Sequence, residues 1–553
     1  MAATMIRNAQ GGAGLLQLRD VAHDGYARFA DAGFQVPLFD RAAMRRESTR
    51  SPRWMHLGAG NLFRSFHARI AQRLLDEGHL DCGVHLVDFR DPARVARFHE
   101  NDDLFVDVVM HTDGSLEPAL VASVARSYHT AGVGSADWLE IAETISAPTL
   151  QLVTLAVTEK AYVVDAGRSS GPDSARSTIE LLTALLLERF RRTGAPVALA
   201  STDNFSGNGE HLAASIGTVA TQWQDAGSVE PGFVEYLSDP RLVAYPNTMI
   251  DRITPLPSAV VASTLHDHYR LADSLLTERP GANVVADFSN TERYHLLVME
   301  DRFPNGRPPL EDAGVLLTDR ATVDRVERMK VGATLNPLHT AMAVFGCLLG
   351  FTSIAEEIRD PDVSLLVRRL AEEEALPAIE DPVIVDPLES LRDVLETRLP
   401  NPGLPDSPQR IATDTSQKLG PRFSGAIRFA LNDPTAEPDG LRLIPLVIAA
   451  WLRCWVGVDD LGHTFVPSPD PLSAELRERF GDVRLGEPVS AHEVLAPILR
   501  NRAIFGLDLT ATALAARIET DFEAMLSGPG AVRTTLHAAV GVPTTTTRSG
   551  VSA

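Results

Sequence analysis

Lysine is scarce in this chain. Of its 51 basic residues only Lys160, Lys330 and Lys418 are lysines, and the other 48 are arginines. Arginine serves wherever a fixed positive charge is enough, because its guanidinium keeps its proton near neutrality. A lysine moved out of water has its charged form disfavoured, so its pKa falls towards the range in which an amine acts as a general base. The three lysines are therefore candidates for proton chemistry, against the plainer reading that an arginine-rich composition leaves a few at random. Lys330 sits in the stretch Glu327-Arg328-Met329-Lys330-Val331-Gly332-Ala333-Thr334-Leu335-Asn336-Pro337-Leu338-His339. His339 follows Asn336 by three residues and shares its helical face. Glu327 and Lys330 are also spaced as an ordinary i, i+3 ion pair. Asn336 before Pro337 reads equally as a helix cap, and His339 beside apolar residues reads equally as a hydrogen-bonded core histidine.

The elements that must position chemistry begin with a strand, a glycine turn and a helix. Trp54-Met55-His56-Leu57 leads into Gly58-Ala59-Gly60-Asn61-Leu62-Phe63-Arg64, and helical periodicity follows through Ile70, Leu74 and Leu75. Gly58 and Gly60 would let backbone approach a pyrophosphate at a helix N-terminus, although Phe63 stands where a G-x-G-x-x-G fingerprint has its third glycine. A second strand, residues 84–87, ends in Asp88, where a ribose-binding acid is wanted. Asp88 comes 30 residues after Gly58 rather than ~20, so a surface-turn reading stays open. Arg90 leaves a cofactor with a 2′-phosphate conceivable.

Two more apolar runs, 150–157 and 196–200, end in Thr158-Glu159-Lys160 and in Ser201-Thr202-Asp203-Asn204. Residues 179–190 between them have helical periodicity, which predicts parallel strands joined by a crossover. Ligands collect outside the carboxyl ends of such strands. Gly58, Asp88, Thr158 and Asn204 should then share one rim with Lys160, for which an ion pair with Glu159 or another acid is the alternative. Residues 245–255, dense in polar groups between prolines, read as an ordered loop that touches ligand. Residues 283–286 and 295–299 read as strands. From about Val323 helical periodicity dominates, through 341–349, 364–374, 390–398, 426–431 and 443–455.

At 553 residues the prior is two large domains. With 44% hydrophobic and 22% charged residues, and no run near the roughly 18 apolar residues of a span, the chain reads as soluble. A net charge of −22 argues against nucleic-acid binding, which needs basic surface. Cys82, Cys347 and Cys454 are too scattered for a disulfide framework or a Cys-rich zinc site, which fits a reducing cytoplasm. His266-Asp267-His268 lacks the context of a zinc motif. The start of the chain has no secretory h-region, and the Thr-rich end reads as disordered. The expected organisation is an N-terminal arm (1–50), a dinucleotide-binding domain (51–322), a helical domain (323–540) and a tail (541–553).

Taken together the motifs resemble the long-chain mannitol dehydrogenase family of mannitol, arabinitol and sugar-acid dehydrogenases, over about residues 52–520. The resemblance is carried by Gly58-Ala59-Gly60 with Arg64, Thr158-Glu159-Lys160, Asp203-Asn204 with Asn208-Gly209, Pro246-Asn247-Thr248-Met249 with Asp251-Arg252, Glu300-Asp301, Lys330 with Asn336 and His339, and Arg410 with Lys418. It implies an α/β protein: a Rossmann-type N-terminal domain and a mostly α-helical C-terminal domain. It also implies a zinc-independent enzyme that uses NAD, with NADP possible. Lys330 would be the general base, Asn204 and Asn336 would hold the reacting oxygen, His339 would bind substrate and Glu327 would gate proton exchange. Arg64 and Lys160 join Gly58, Gly60, Asp88 and Thr158 around the cofactor, while Asp251, Arg410 and Lys418 grip the substrate.

One departure matters. Many family members place the asparagine five residues after the lysine, whereas Asn336 is six after Lys330, and one extra residue turns a helix by about 100°. Both readings of Asn336, oxyanion ligand and helix cap, therefore stand. The wording of residues 330–349 leans towards sugar-acid members of D-mannonate/D-fructuronate type. A neutral polyol is the alternative, and a non-catalytic sensor the remote one. No nucleic-acid or membrane partner is expected, and monomer and dimer both remain open.

Overall fold

The computed structural model describes residues 14–164, 171–279, 282–432 and 440–541. The first thirteen residues and the tail from 542, expected to be a loose end and disordered, lie outside the described residues. Two compact units emerge, Met1–His111 with Ser115–Leu317, and Thr112–Gly114 with Thr318–Ala553.

The strands of the first unit are, in order, β1 (Trp54–Leu57), β2 (Val84–Asp88), β3 (Phe105–Met110), β4 (Leu116–Val121), β5 (Val124–His129), β6 (Leu152–Leu155), β7 (Val197–Ser201), β8 (Val243–Ala244), β9 (Thr248–Asp251), β10 (Thr277–Arg279), β11 (Ala282–Val285), β12 (Phe288–Glu292) and β13 (Leu296–Glu300). The main sheet runs β5-β2-β1-β6-β7-β8, and every pairing in it is parallel. Its inner strands β1, β6 and β7 are largely apolar on both faces, as a sheet covered twice requires. Met55, Leu57, Val153, Leu155 and Leu199 face one core, with the helices Ala136–Ser146, Thr178–Arg192 and Asn208–Asp225. Trp54, Leu152, Ala198 and Ala200 face the other, with the helix Ala68–Asp76 and the small sheet of β9 and β13. The helix Thr178–Arg192 starts at a reciprocal capping box between Ser177 and Glu180. It is the crossover expected between β6 and β7.

Three features differ from, or go beyond, what the sequence suggested. Residues 245–255 are not simply a loop, because Thr248–Asp251 pairs antiparallel with β13. The strands β3, β4 and β5 were not anticipated, since Asp107, Ser127 and the proline and charges between them break the apolar run. Residues 14–50 carry the helix Arg41–Arg50, capped by Asp40, and they pack into the first unit. Leu16 bridges to Leu271 and Gln35 to Ala119, while Arg41 and Arg45 both meet Asp102.

The first unit ends in a further short strand, β14 (Leu316–Thr318), which completes the small sheet of β13 and β9, and the second unit is helical. After the helix Arg320–Met329, the helices Asn336–Leu349, Pro361–Arg369, Thr415–Asn432, Leu443–Cys454 and Leu514–Leu526 surround one large apolar core. The helical run Arg320–Leu349 contains an apolar 18-residue window that is mostly buried inside the protein. The helix Leu443–Cys454 has no cap of its own. Instead the buried carboxylate of Glu374 accepts from the amides of Arg442, Leu443 and Ile444 at 2.7, 2.6 and 2.8 Å. The unit also contains π-helical turns at Lys330–Thr334, Leu370–Ala375 and Val394–Arg398.

Candidate active site

The first unit has a cavity of about 670 Å³ where strand order reverses between β1 and β6, lined by Gly58, Gly60, Arg64, Asp88, Val157 and Thr158 among others. A switch point at the carboxyl ends of parallel strands is where such sheets bind nucleotides. Gly58 has a φ of +110°, and a Cβ there would meet the carbonyl oxygen of Ala156 at 2.3 Å. Only glycine fits. No atom lies within 4 Å of the corresponding position on Gly60, so backbone at this point faces open space that a pyrophosphate can approach. The missing third glycine has a structural answer: Phe63 begins a π-helical turn, Phe63–His67, and is fully buried against His56 with ring centroids 4.5 Å apart. The wider turn makes room for a ring where a tight helix would need glycine.

Asp88 is 4% exposed. Its carboxylate accepts from the amides of Ala59, Arg90 and Asp91 at 3.2, 2.8 and 3.0 Å, and Arg94 stands 3.5 Å away. It ties the glycine turn to the turn after β2 while lining the crevice. Arg64 is also inward, donating to the carbonyls of Ala286 and Phe288 at 2.7 and 3.3 Å, and burial pulls its pKa down to about 10. Its visible task is to anchor the crevice wall. Lys160 is exposed in the short 3-10 turn that follows Thr158.

The rim after β6 and β7 is tightly cross-linked. Thr158 adopts φ +81°, ψ 146°, a conformation that a β-branched residue takes only under constraint. The carboxylate of Asp203 accepts from the amides of Val157 and Thr158 at 3.0 and 2.8 Å, and from the Tyr162 hydroxyl at 2.7 Å. Asn204, next in sequence, is exposed on the same rim. Beneath it Asn208 donates to the carbonyls of Asp203 and Thr248 and accepts from the Thr248 amide, all at 3.0 Å. Gly209 lies so close to Tyr245 that a Cβ would sit 2.5 Å from its carbonyl oxygen, and Asn247 receives the Gly209 amide at 3.0 Å. The Asn208-Gly209 and Pro246-Asn247-Thr248 motifs are thus one buttress. Thr248 and Asn247, expected in a ligand loop, are buried in that buttress, and Asp251 ends β9 at 6% exposure.

In the second unit Lys330 ends the helix Arg320–Met329 and begins the π-helical turn Lys330–Thr334. It is 5% exposed. The turn is closed by the Leu335 amide on the Lys330 carbonyl at 3.4 Å, an i→i+5 bond that absorbs one residue more than an α-helical turn. This accounts for the six-residue interval to Asn336. The helix that follows has Leu335 at its N-cap position and no side-chain cap, with Asn336 as its first residue and Pro337 in its first turn. The capping reading of Asn336 therefore fails, and its half-buried side chain is left for another use. His339 is half-buried one turn on. Next to it Arg422 donates to the Thr340 hydroxyl at 2.6 Å, its pKa lowered by burial to about 10.

Glu327 is half-buried in the last turn of the helix Arg320–Met329, and Lys418 and Arg410 lie further along the unit. Lys418 donates to the carbonyl of Ile411 at 3.0 Å and to that of Thr413, closing the end of the short helix Pro408–Ile411. Burial lowers its pKa, with Arg422 and Arg410 adding to the shift. Arg410 pairs with Asp406 one turn earlier and is largely exposed.

A family model described as the mannitol dehydrogenase Rossmann domain matches residues 52–312, and one for the mannitol dehydrogenase C-terminal domain matches residues 322–526. A D-mannonate oxidoreductase of Thermotoga maritima is 40% identical over 93% of this chain and 97% of its own length. The chain belongs to the mannitol dehydrogenase family. A mannitol 2-dehydrogenase of Phaeosphaeria nodorum is 29% identical over 86% of this chain and 78% of its own. Among solved structures, a D-sorbitol dehydrogenase in substrate-free form has the same fold, with a TM-score of 0.76 at 21% identity and coverage of 91% and 98% of the two chains. The ternary complex of Pseudomonas fluorescens mannitol 2-dehydrogenase with NAD and D-mannitol is also similar in fold, with a TM-score of 0.67 at 24% identity over 92% and 97%.

As a mannitol dehydrogenase family member the chain is an NAD(P)-dependent oxidoreductase of a polyol or sugar acid. Its glycine turn and the open space before Gly60 fit a dinucleotide. Among the described residues no group of three His, Cys, Asp or Glu side chains is arranged to hold a metal. What sequence reasoning missed is Asp203, quoted only as half of a motif, and Tyr162. A hydroxyl and a carboxylate 41 residues apart leave no local pattern.

Proposed function

We propose that this protein is a zinc-independent, NAD-preferring hexonate dehydrogenase, interconverting a secondary alcohol and a ketone on a sugar acid of D-mannonate/D-fructuronate type. The observation that carries the substrate class is the 40% identity to the D-mannonate oxidoreductase over nearly its whole length. A neutral polyol is the second reading, favoured by the relatives at lower identity that are mannitol 2-dehydrogenases. The three buried free thiols support a cytoplasmic location.

Oxidation removes the hydroxyl proton while hydride leaves the same carbon. When bound, the nicotinamide supplies the hydride acceptor, and the protein supplies placement and proton transfer. Lys330 takes the proton at Nζ, a contribution of typically 10²–10⁴-fold for a positioned base. The amides of Asn204 and Asn336 donate to the oxygen as charge develops on it. His339 orients the substrate and Glu327 passes the proton onward. Asp251 and Arg410 hold the rest of the substrate chain, and Lys418 joins them with the one N–H that its two carbonyl partners leave over. NAD preference rests on the Asp88 carboxylate, which repels a 2′-phosphate; Arg90 on the same wall makes NADP the alternative.

The test is a dehydrogenase screen of D-mannonate, D-altronate, D-mannitol and D-arabinitol with NAD and NADP, before and after exhaustive chelation. We expect the highest kcat/KM with a hexonate and NAD, unchanged by the chelator. A tenfold preference for a neutral polyol, or for NADP, or activity restored only by zinc, would each overturn the corresponding part of the reading.

A further inference from the structure

We infer that Asp203 is a positioning residue whose carboxylate clamps the Val157–Thr158 turn at the positive φ of Thr158 and thereby shapes the cofactor crevice and places Asn204. It joins the loops after two neighbouring strands, β6 and β7, at the rim where the cavity opens. Its partners are the amides of Val157 and Thr158 at 3.0 and 2.8 Å and the Tyr162 hydroxyl at 2.7 Å, which in turn lies 2.7 Å from the Ser201 hydroxyl. Asp203 is 8% exposed. A carboxylate with only acceptor sites is suited to take two adjacent amides that point the same way, and the pairing fixes the peptide between Val157 and Thr158.

The need for a clamp is visible in Thr158. Its φ of +81° is a position that glycine fills without cost and that a β-branched residue holds only if its surroundings impose it. The adjacent Ala156 carbonyl packs against Gly58, where a Cβ would meet its oxygen at 2.3 Å, so the turn and the glycine loop are in close contact. The other end of Asp203 is fixed as well, because its carbonyl accepts from Asn208 at 3.0 Å and its amide donates to the Ser201 hydroxyl at 3.3 Å. A residue held at both ends transmits that order to the next, and the next is Asn204. Burial raises the pKa of Asp203, against the lowering effect of its hydrogen bonds.

The inference rests on the crevice being the cofactor site, and its test reads cofactor binding directly. NADH binding is followed by fluorescence titration in the wild type and in Asp203→Ala, Asp203→Asn, Thr158→Gly and the double variant Thr158→Gly/Asp203→Ala, with folding checked by thermal melting. Wild-type binding locates a failure of the site; the variants locate a failure of the clamp. Asp203→Ala should raise the Kd for NADH about tenfold or more and lower kcat, because two amides lose their acceptor and Thr158 leaves its conformation. Asp203→Asn, which keeps one oxygen for the two amides, should recover most of that loss and remains informative if the alanine variant does not fold. In the Thr158→Gly background the effect of removing Asp203 should shrink several-fold, since glycine adopts the turn unaided. A purely structural Asp203 predicts a lower Tm with Kd and kcat unchanged below it. That result, or full additivity of the two substitutions, would overturn the assignment.

Discussion

Lys330→Arg keeps the charge and replaces a titratable amine with a guanidinium that stays protonated. If Lys330 is the base, kcat for oxidation at neutral pH should fall at least about 10²-fold with NADH affinity nearly unchanged. If it is only an ion-pair partner, arginine serves as well and kcat stays near normal. Steady-state kinetics on the folded variant separates the two. A second residue-scale expectation concerns Gly58, whose φ of +110° and 2.3 Å approach to the Ala156 carbonyl oxygen leave no place for a methyl group. Gly58→Ala should abolish cofactor binding or expression of folded protein, whereas Gly60→Ala, with open space around it, should fold and weaken binding only by filling the crevice. Soluble yield and NADH titration check both.

At the scale of elements, the four central Rossmann strands β1, β2, β6 and β7 were legible because each is a short apolar run ending in glycine or polar residues, and the crossover helix announces itself by periodicity. The edge strands β5 and β8 were not legible, and neither were the π-helical turns. A single extra residue within an otherwise helical run looks like a broken pattern, and the interval from Lys330 to Asn336 shows how it misleads: read as α-helix, it rotates Asn336 away, while the widened turn absorbs the surplus. Nor could the buttress of Asn208, Asn247 and Thr248 be seen, since its bonds join residues 38 to 40 positions apart. The helix Leu443–Cys454 carries its own prediction. Glu374→Ala removes the acceptor for three amides in the core, and unfolding free energy should drop by at least about 2 kcal/mol, measured by denaturant titration. A loss below 0.5 kcal/mol, the size of an ordinary surface change, would mean that the amides find other partners.

For the molecule as a whole, one buried acid should shape the dependence of stability on pH. Glu357 is fully buried, neither of its carboxylate oxygens has a hydrogen-bond partner among the described residues, and burial together with Asp360 raises its pKa well above the usual 4.5. A group that binds its proton more tightly when folded stabilises the fold fully below its unfolded pKa, and loses that contribution as pH rises towards the folded value. Glu357→Gln, which resembles the protonated acid, should therefore melt at the same temperature as wild type below about pH 4.5 and increasingly higher than wild type as pH rises to neutrality. Equal melting temperatures at pH 4 and pH 7 would show that the carboxylate is solvated. The mostly helical character of the C-terminal part was foreseeable from the switch in periodicity near Val323. Features such as an unpartnered glutamate inside a helical core were not, because burial is a property of the folded set and not of the residue.

The cap of Leu443–Cys454 also says something about the order in which the second unit can form. Its acceptor lies 68 to 70 residues upstream, in the π-helical turn Leu370–Ala375, so the helix has no local means of starting. Twelve residues without a cap are too few to hold a helix alone in water. An isolated peptide of this sequence should be unstructured, and during refolding its amides should gain protection from hydrogen exchange only together with those of residues 361–375. The most apolar helix of the core is thus a late arrival, shielded by a partner that must already be in place.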